Sequence, residues 1–480
     1  MNSGVKGMLS KNLADKRMNM EMVWMDDLVP SDHLVRKLDA AIDFDFIYPM
    51  VEDLYASNNG RPSVDPVVFM KLVFLQYTFG ISSMRQTIRE VETNIAYRWF
   101  LGIGFQDPVP HFSTFGKNYI RRFEGTDLFE QIFYHILKEA MAAGFVDPDV
   151  AFIDSTHVKA HANKKKVLKK TVRKESVAYQ AKLEEEINID REDQGKKPLP
   201  PSSKPEMKEV KQSPTDPESG YFVKNERERL FAYTYHAGCD RNGFILGAAV
   251  KPANVHDNQV FFEVYENIKK HVRKPLTVAV DAGYKTPTIA KFLAEESVRP
   301  VMPYKRPQTP KGYLKKHDFV YDDYYDCYIC PQLHILRYQT TNREGKRVYI
   351  SDPDVCRDCP LLAVCTKSAN LQKVVERHIW QAYLDEAEHL RHTDYNKAVY
   401  QRRSETIERA FGDLKEKHGL RWTRLKGIAR NEAQAMLVFA AMNLKKMAKW
   451  KWKHRHPSGG ITVVIQFSKK IDKPRLQVAA

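Results

Sequence analysis

Residues 150–158 (VAFIDSTHV), 230–238 (LFAYTYHAG) and 243–252 (GFILGAAVKP) are short runs rich in β-branched and aromatic side chains, and they read as strands. Asp240, Arg241, Asn242 and Gly243 supply hairpin-turn chemistry between the second and third, which makes those two antiparallel neighbours. Downstream, residues 258–272 have helical apolar spacing, 276–283 (LTVAVDAG) form an apolar strand, 287–296 a helix and 298–304 (VRPVMPY) a last short strand. Asp154 closes the apolar part of the first strand and Asp281 that of the fourth, each followed by small or polar residues that would open a cleft. Taken alone, an acid in such a place is equally a cap or turn residue.

Three strands, a helix, a strand, a helix and a strand is the order of a ribonuclease-H-like α/β sheet, the fold class expected here. Upstream, residues 62–123 are helical in pattern: PVVFMKLVFLQY (66–77) opens with Pro66, Gly80 stops it, and the next stretch repeats Met84, Ile88, Val91 and Ile95 at helical spacing after a Ser start. Helix, short turn, helix is one geometry for entering a DNA groove, with Arg85 and Arg89 as candidate contacts; a helical core with solvated arginines fits the same pattern. Between the first two strands, residues 164–227 are rich in Lys, Glu, Pro and Ser and cannot build a core of their own. They are expected to form a charged helical arm over 164–193 and then a linker, the leading lysines either tracking phosphates or simply solvated.

The chain has 480 residues, 43% hydrophobic and 28% charged, a globular mixture with room for several domains. Its 76 Lys and Arg against 60 Asp and Glu leave a net charge of +16, which favours a polyanion such as nucleic acid over a small acidic metabolite. No stretch reaches the ~20 apolar residues that span a bilayer, and the first residues lack a continuous apolar segment. Membrane functions are excluded on this reading, and a cytoplasmic, nucleoid-associated protein is expected. Five of the six cysteines lie between Cys327 and Cys365, too clustered for a disulfide-stapled secreted fold, while Cys239 stands apart. The pairs Cys327/Cys330 and Cys356/Cys359 can supply four thiolates to a structural Zn2+, and Cys365 can replace one of them. An iron–sulfur cluster and plain reduced thiols are the other readings.

Toward the C-terminus, YQRRSETIERAFGDLKEKHG (400–419) reads as a long helix with Ile407, Phe411 and Leu414 as its apolar stripe. Glu408 borders the stripe, and Lys415 lies two turns along the same side. Glu405 is the rival acid. Trp422, beside Arg421 and Arg424, stands where the end of a DNA element would be held. Lys445, Lys446, Lys449 and Lys451 alternate with Trp450 and Trp452, a composition suited to phosphates and unpaired bases, or to a last helix whose tryptophans cover the core.

Four segments carry a family resemblance: FIDSTHVKAHANK (152–164), ANVHDNQVF (253–261), VAVDAGYKT (278–286) and RSETIERAFGDLKEKHG (403–419). The chain resembles the DDE transposases of bacterial insertion sequences, and its order of elements is most similar to the insertion-sequence type 1182 group, over roughly residues 15–450. The resemblance implies Asp154, Asp281 and Glu408 as a catalytic triad holding Mg2+ (or Mn2+). It implies Tyr400, Arg403 and Lys415 as DNA-binding members of a Tyr, Arg, Glu, Lys signature, with Arg403 one residue farther from Glu408 than usual. Tyr284 and Lys285 are expected on the rim of the cleft, and His157, His256 and Asp257 orient DNA or a metal-bound water, or act as plain hydrogen bonders.

The implied organisation is a helical N-terminal DNA-binding domain (1–145), a ribonuclease-H-like core (146–163 and 228–304), the charged arm and linker (164–227), a Cys-rich insertion (305–385), the catalytic helix with basic C-terminal helices (386–456) and a tail (457–480). The implied partners are terminal inverted repeats, target DNA and further copies of the chain in a homodimer or larger synaptic assembly. The chemistry gives its own reason for three acids: in-line displacement at phosphorus needs the attacking and the leaving oxygen stabilised together, and two Mg2+ ions held by carboxylates do this. A ribonuclease-H-like nuclease without strand transfer, and a non-catalytic DNA-binding protein derived from a transposase, are the competing readings.

Overall fold

The computed structural model describes residues 20, 22–55, 63–173, 180–200, 207–223, 229–306 and 309–456; the expected tail at 457–480 and part of the linker lie outside them. Helix α1 (Pro66–Thr78) begins where the sequence requires, because Asp65 Oδ1 accepts the Val67 N–H at 2.7 Å and Pro66 has no N–H to satisfy. It is apolar nearly all round and therefore sits inside the helical region, with Phe69, Met70, Leu72, Val73, Phe74 and Leu75 buried. Helix α2 (Met84–Thr93), capped by Ser83, buries only Thr87, Ile88 and Val91 and leaves Arg85 and Arg89 in solvent. Helix α3 (Leu128–Ala142) completes the region and packs on the long C-terminal helix.

The central sheet follows. Strand β1 (Val150–Lys159) leads through β2 (Leu168–Arg173), α4 (Gln180–Asp193), β3 (Met207–Gln212) and β4 (Gly220–Val223) to β5 (Arg229–Cys239) and β6 (Ile245–Pro252). The chain continues as α5 (Asp257–His271), β7 (Thr277–Ala279), α6 (Pro287–Glu295) and β8 (Arg299–Val301). Strands are ordered β4-β5-β1-β7-β8, with β6 also on β5; β5 is antiparallel to β1 and β6, whereas β7 is parallel to β1 and β8. This mixed sheet, with a helical region before it, fits a ribonuclease-H-like core. The β5–β6 turn is closed by Asp240, whose Oδ1 accepts the N–H groups of Asn242 at 3.0 Å and Phe244 at 2.7 Å, while Gly243 takes a positive φ of 74°.

Register creates the cleft. The last β1–β7 pair is Phe152 with Ala279, and the next contact on that edge is Lys159, bridged to Trp422 through Lys159 N–H to Arg421 O at 3.2 Å and Thr423 N–H to Lys159 O at 2.9 Å. Among the described residues no strand lies beside Ile153 to Val158 on that edge, so Asp154 stands at an opening just past the C-terminal end of β7.

A second, antiparallel sheet is formed by β9 (Val320–Asp322), β10 (Cys327–Ile329), β11 (Ile335–Thr341), β12 (Lys346–Ile350) and β13 (Val374–His378). Helices α7 (Gln381–Arg391), α8 (Asp394–Gln401), α9 (Ile407–Glu416) and α10 (Ile428–Arg455) close the described chain. Among the described residues no helix is long and apolar enough to cross a membrane.

Two expectations are corrected here, and for the basic last helix the packing alternative is the one observed. The helix expected over 164–193 exists only as α4; residues 168–173 pair as a strand with β3. The charges of α4 are spent on neighbours: Lys182 pairs with Glu295 at 2.6 Å, Glu186 with buried Lys291 and with Trp380, and Asp190 with Arg347 at 2.7 Å. The helix thus brackets α6 of the core to the second sheet. The long helix expected over 400–419 is two helices, α8 and α9, joined by a turn over 402–406. The basic helix α10 buries Leu437, Val438, Phe439, Leu444 and Met447, and Trp450 meets Phe145 and Phe244 edge to face at 5.5 Å each. Lys445 and Lys451 donate to the carbonyls of Thr78 and Ala41 at 2.7 Å each, and Lys446 donates to that of Asn242, so this helix is chiefly a packing element.

Candidate active site

Asp154 is the second residue of the open-edged stretch of β1. Its side chain is 16% exposed, Oδ1 accepts the Ser155 N–H at 2.8 Å, and Oδ2 receives Nη2 of Arg403 at 2.6 Å. Burial pushes its carboxyl up to about 6; Arg403 and the Ser155 N–H oppose the rise, while the charges of Asp281 and Asp257 add to it.

Asp281 lies two residues past β7, and its Oδ1 accepts the N–H groups of Gly283 at 2.9 Å and Tyr284 at 3.3 Å. The turn-forming role and the acid role therefore coincide in one residue. A side chain on Gly283 would crowd this place, since a Cβ there would lie 3.2 Å from Asp281 Oδ1 and 3.8 Å from Asp257 Oδ2.

Asp257, the first residue of α5, completes a group of three carboxylates. Burial raises its pKa, a hydrogen bond from the Ser155 side chain lowers it, and the charge of Asp281 raises it again. Behind it, Tyr284 is fully buried with its hydroxyl 3.2 Å from His236 Nδ1, and His236 Nε2 stands 3.9 Å from Asp257 Oδ1. Burial drives the His236 pKa down to about 3, so the ring is neutral and works as a hydrogen bonder. Ser155 and His236 did not stand out in the sequence; the available signal was a His inside the apolar run 230–238, which the fold buries to 1% exposure.

Glu408 sits in the exposed first turn of α9, which packs against β1. It approaches the acids through Tyr400, whose pKa is raised mainly by burial and further by the charges of both Asp281 and Glu408. Arg403 lies in the turn between α8 and α9, so its extra residue of spacing falls in a turn and not in a helix. It is 3% exposed, stands 5.6 Å from the Tyr400 ring, and leaves Nε and Nη1 buried with no hydrogen-bond partner among the described residues. Glu405 instead lines a different cavity with Arg409, Lys445, Lys446 and Lys449.

Other expected residues are dispersed. Lys285 is 8% exposed, pairs with Glu388 and donates to Pro303 O at 2.9 Å, so it is held inside and not on the rim. Lys415 is half-buried on α9. Trp422 is 47% exposed, with Arg424 4.9 Å from its ring, and Arg85 stands 4.2 Å from the Phe112 ring. His157 is hydrogen-bonded to Thr234 Oγ1 at 3.0 Å and packs on Phe222; His256 is exposed at the start of α5. Cys330, Cys356, Cys359 and Cys365 line one cavity, and Cys327 is buried outside it.

Asp154, Asp257 and Asp281 repel one another, with Arg403 as the cation paired to Asp154; this oxygen-only, negatively charged donor set fits a hard divalent cation in chemistry. Among the described residues, no three His, Cys, Asp or Glu side chains are already drawn together closely enough to hold one.

Residues 23–121 match a family described as a transposase domain (DUF772), and residues 329–448 match a family described as a transposase DDE domain. The second match includes Glu408 and begins after Asp281, so Asp154 and Asp281 lie outside both. No curated protein matches the chain. One transposase domain among the N-terminal helices and one DDE domain spanning the second sheet and the Glu408 helix together support a DDE transposase of a transposable element.

Proposed function

We propose that the chain is a transposase of the insertion-sequence type 1182 group that binds the terminal inverted repeats of its element, cleaves phosphodiester bonds at Asp154, Asp281 and Glu408, and joins the freed 3′-OH ends to target DNA. The observation that supports this most is the coupling of Asp154, on the open edge of β1, with Asp281, just past the end of the parallel strand β7, beside the helix that carries Glu408. Two Mg2+ or Mn2+ ions bound by these acids would stabilise the attacking and leaving oxygens of an in-line displacement.

The chain's own residues do the rest. Asp281, fixed by two backbone N–H groups, is pre-aimed, and the Ser155 hydroxyl holds Asp257 beside it. Arg403 holds Asp154, and a guanidinium at this place is well suited to a phosphate oxygen. Lys285, through Glu388, fixes the segment after Asp281. Tyr400 stands beside the acids, Lys415 and Trp422 contact DNA away from them, and residues 1–145 with Arg85 and Arg89 recognise the element's ends in a dimer or larger synaptic assembly.

The test is mobility of a marker placed between the imperfect inverted repeats flanking the coding region, in cells supplying wild type, Asp154→Ala, Asp281→Ala, Glu405→Ala or Glu408→Ala. Movement should be lost with every acid variant except Glu405→Ala, with end binding intact. Ends that are bound but never moved by wild type would refute the catalytic reading.

A further inference from the structure

Four of the five clustered thiols converge from separate turns of the chain. Cys330 closes β10 into the hairpin with β11: its N–H donates to His334 O at 2.9 Å, and its Sγ accepts the His334 N–H at 3.4 Å. Cys356 belongs to the helical turn Pro353–Arg357, and the Cys359 N–H donates to Cys356 O at 3.2 Å. Cys365 ends the turn Leu362–Cys365, whose last carbonyl receives Lys373 Nζ at 2.8 Å. All four thiols line one cavity. Cys327, the partner of Cys330 in the first CxxC pair, is not among them; it pairs with Asp322 across the β9–β10 ladder and is influenced by Asp322 and Asp326.

We propose that Cys330, Cys356, Cys359 and Cys365 bind one structural Zn2+, with Cys365 taking the place that the CxxC spacing would give to Cys327. Four soft sulfur donors and no open position suit tetrahedral zinc. The backbone N–H on Cys330 Sγ favours the thiolate form and fixes its direction. No cysteine is in a disulfide, and these four are partly accessible, so an ion can enter. The four thiols share the cavity wall without yet forming a ligand cluster, so binding would have to draw them in to the ~2.3 Å of a Zn–S bond.

The need is physical. The second sheet has a small core of five buried residues, Phe319, Tyr328, Leu336, Tyr349 and Val375, so a cross-link would add substantially to its stability. Zinc would tie the β10–β11 hairpin to the turns that precede β13. The site stands apart from the acids and does not depend on the transposase reading.

The test is the metal content of the purified full chain. Wild type and Cys327→Ser should each carry one zinc, and Cys330→Ser, Cys356→Ser, Cys359→Ser and Cys365→Ser at least tenfold less. Because serine variants of a structural site can misfold, wild type is also alkylated under native conditions with and without chelator and the modified cysteines mapped. Chelation should raise labelling of those four at least tenfold and leave Cys327 and Cys239 unchanged. Metal-free wild type, iron in place of zinc, loss of zinc in Cys327→Ser with retention in Cys365→Ser, or labelling indifferent to chelator would each overturn the assignment.

Discussion

Asp154→Asn should change how stability depends on pH, in a direction that tells whether burial or Arg403 dominates at this acid. The carboxyl is pushed from an ordinary 3.8 up to about 6, so the native state keeps the proton over a range where the unfolded chain has released it. The sign follows: between pH 4 and 6 the folded protein binds more protons, and its stability falls as pH rises, by about 1.4 kcal/mol per unit. Over roughly two units this amounts to about 3 kcal/mol, fully expressed above pH 6. Asparagine lacks the titration. It also leaves Arg403 without its counter-ion, but that cost does not vary over this range, because a guanidinium stays charged.

The quantity to compare is therefore the trend and not the absolute stability. Urea unfolding followed by tryptophan fluorescence, in chelated buffer at pH 4, 5, 6 and 7, should show the variant gaining about 3 kcal/mol on wild type from the lowest to the highest pH. A difference that is flat, or that moves in favour of wild type as pH rises, would mean that the Arg403 ion pair outweighs burial and holds Asp154 ionised.

Three further outcomes can be checked on the same protein. Lys291→Met removes a 6% exposed ammonium from Glu186 and Trp380 and should destabilise by about 2–4 kcal/mol, whereas Lys182→Met, a 43% exposed partner of Glu295, should cost about 1 kcal/mol or less, both by urea unfolding. Gly80→Ala should destabilise by about 2 kcal/mol or more, because Gly80 has a φ of 67° and a Cβ would lie 2.8 Å from Lys417 O; Gly116→Ala, in a helix with nothing within 4 Å, should stabilise by about 0.5–1 kcal/mol. Arg85→Ala with Arg89→Ala should leave stability within about 0.5 kcal/mol yet flatten the salt dependence of duplex binding by about two phosphate contacts, measured as the slope of log affinity against log salt.

The sequence by itself determined the local features. Strands at 150–158, 230–238 and 243–252, the Asp240 to Gly243 turn and the α5 and α6 helices were all legible, because periodicity and turn chemistry report backbone geometry over a few residues; Asp281 does follow its strand, whereas Asp154 lies inside a strand that runs on to Lys159. Partnership was not legible, since it is set by where distant segments cross. Arg403 meets Asp154 across 249 residues of chain, Asp257 joins Asp281 only because α5 starts beside the β7 turn, and the charges of α4 look like a solvated face until Lys291, Glu295 and Arg347 arrive. The break between α8 and α9 carries no glycine or proline to announce it. Spacing likewise paired Cys327 with Cys330, whereas the fold groups Cys330 with Cys356, Cys359 and Cys365. A charge or thiol on one element has no fixed meaning until packing decides which opposite group shares its low-dielectric surroundings, and that decision belongs to the tertiary structure.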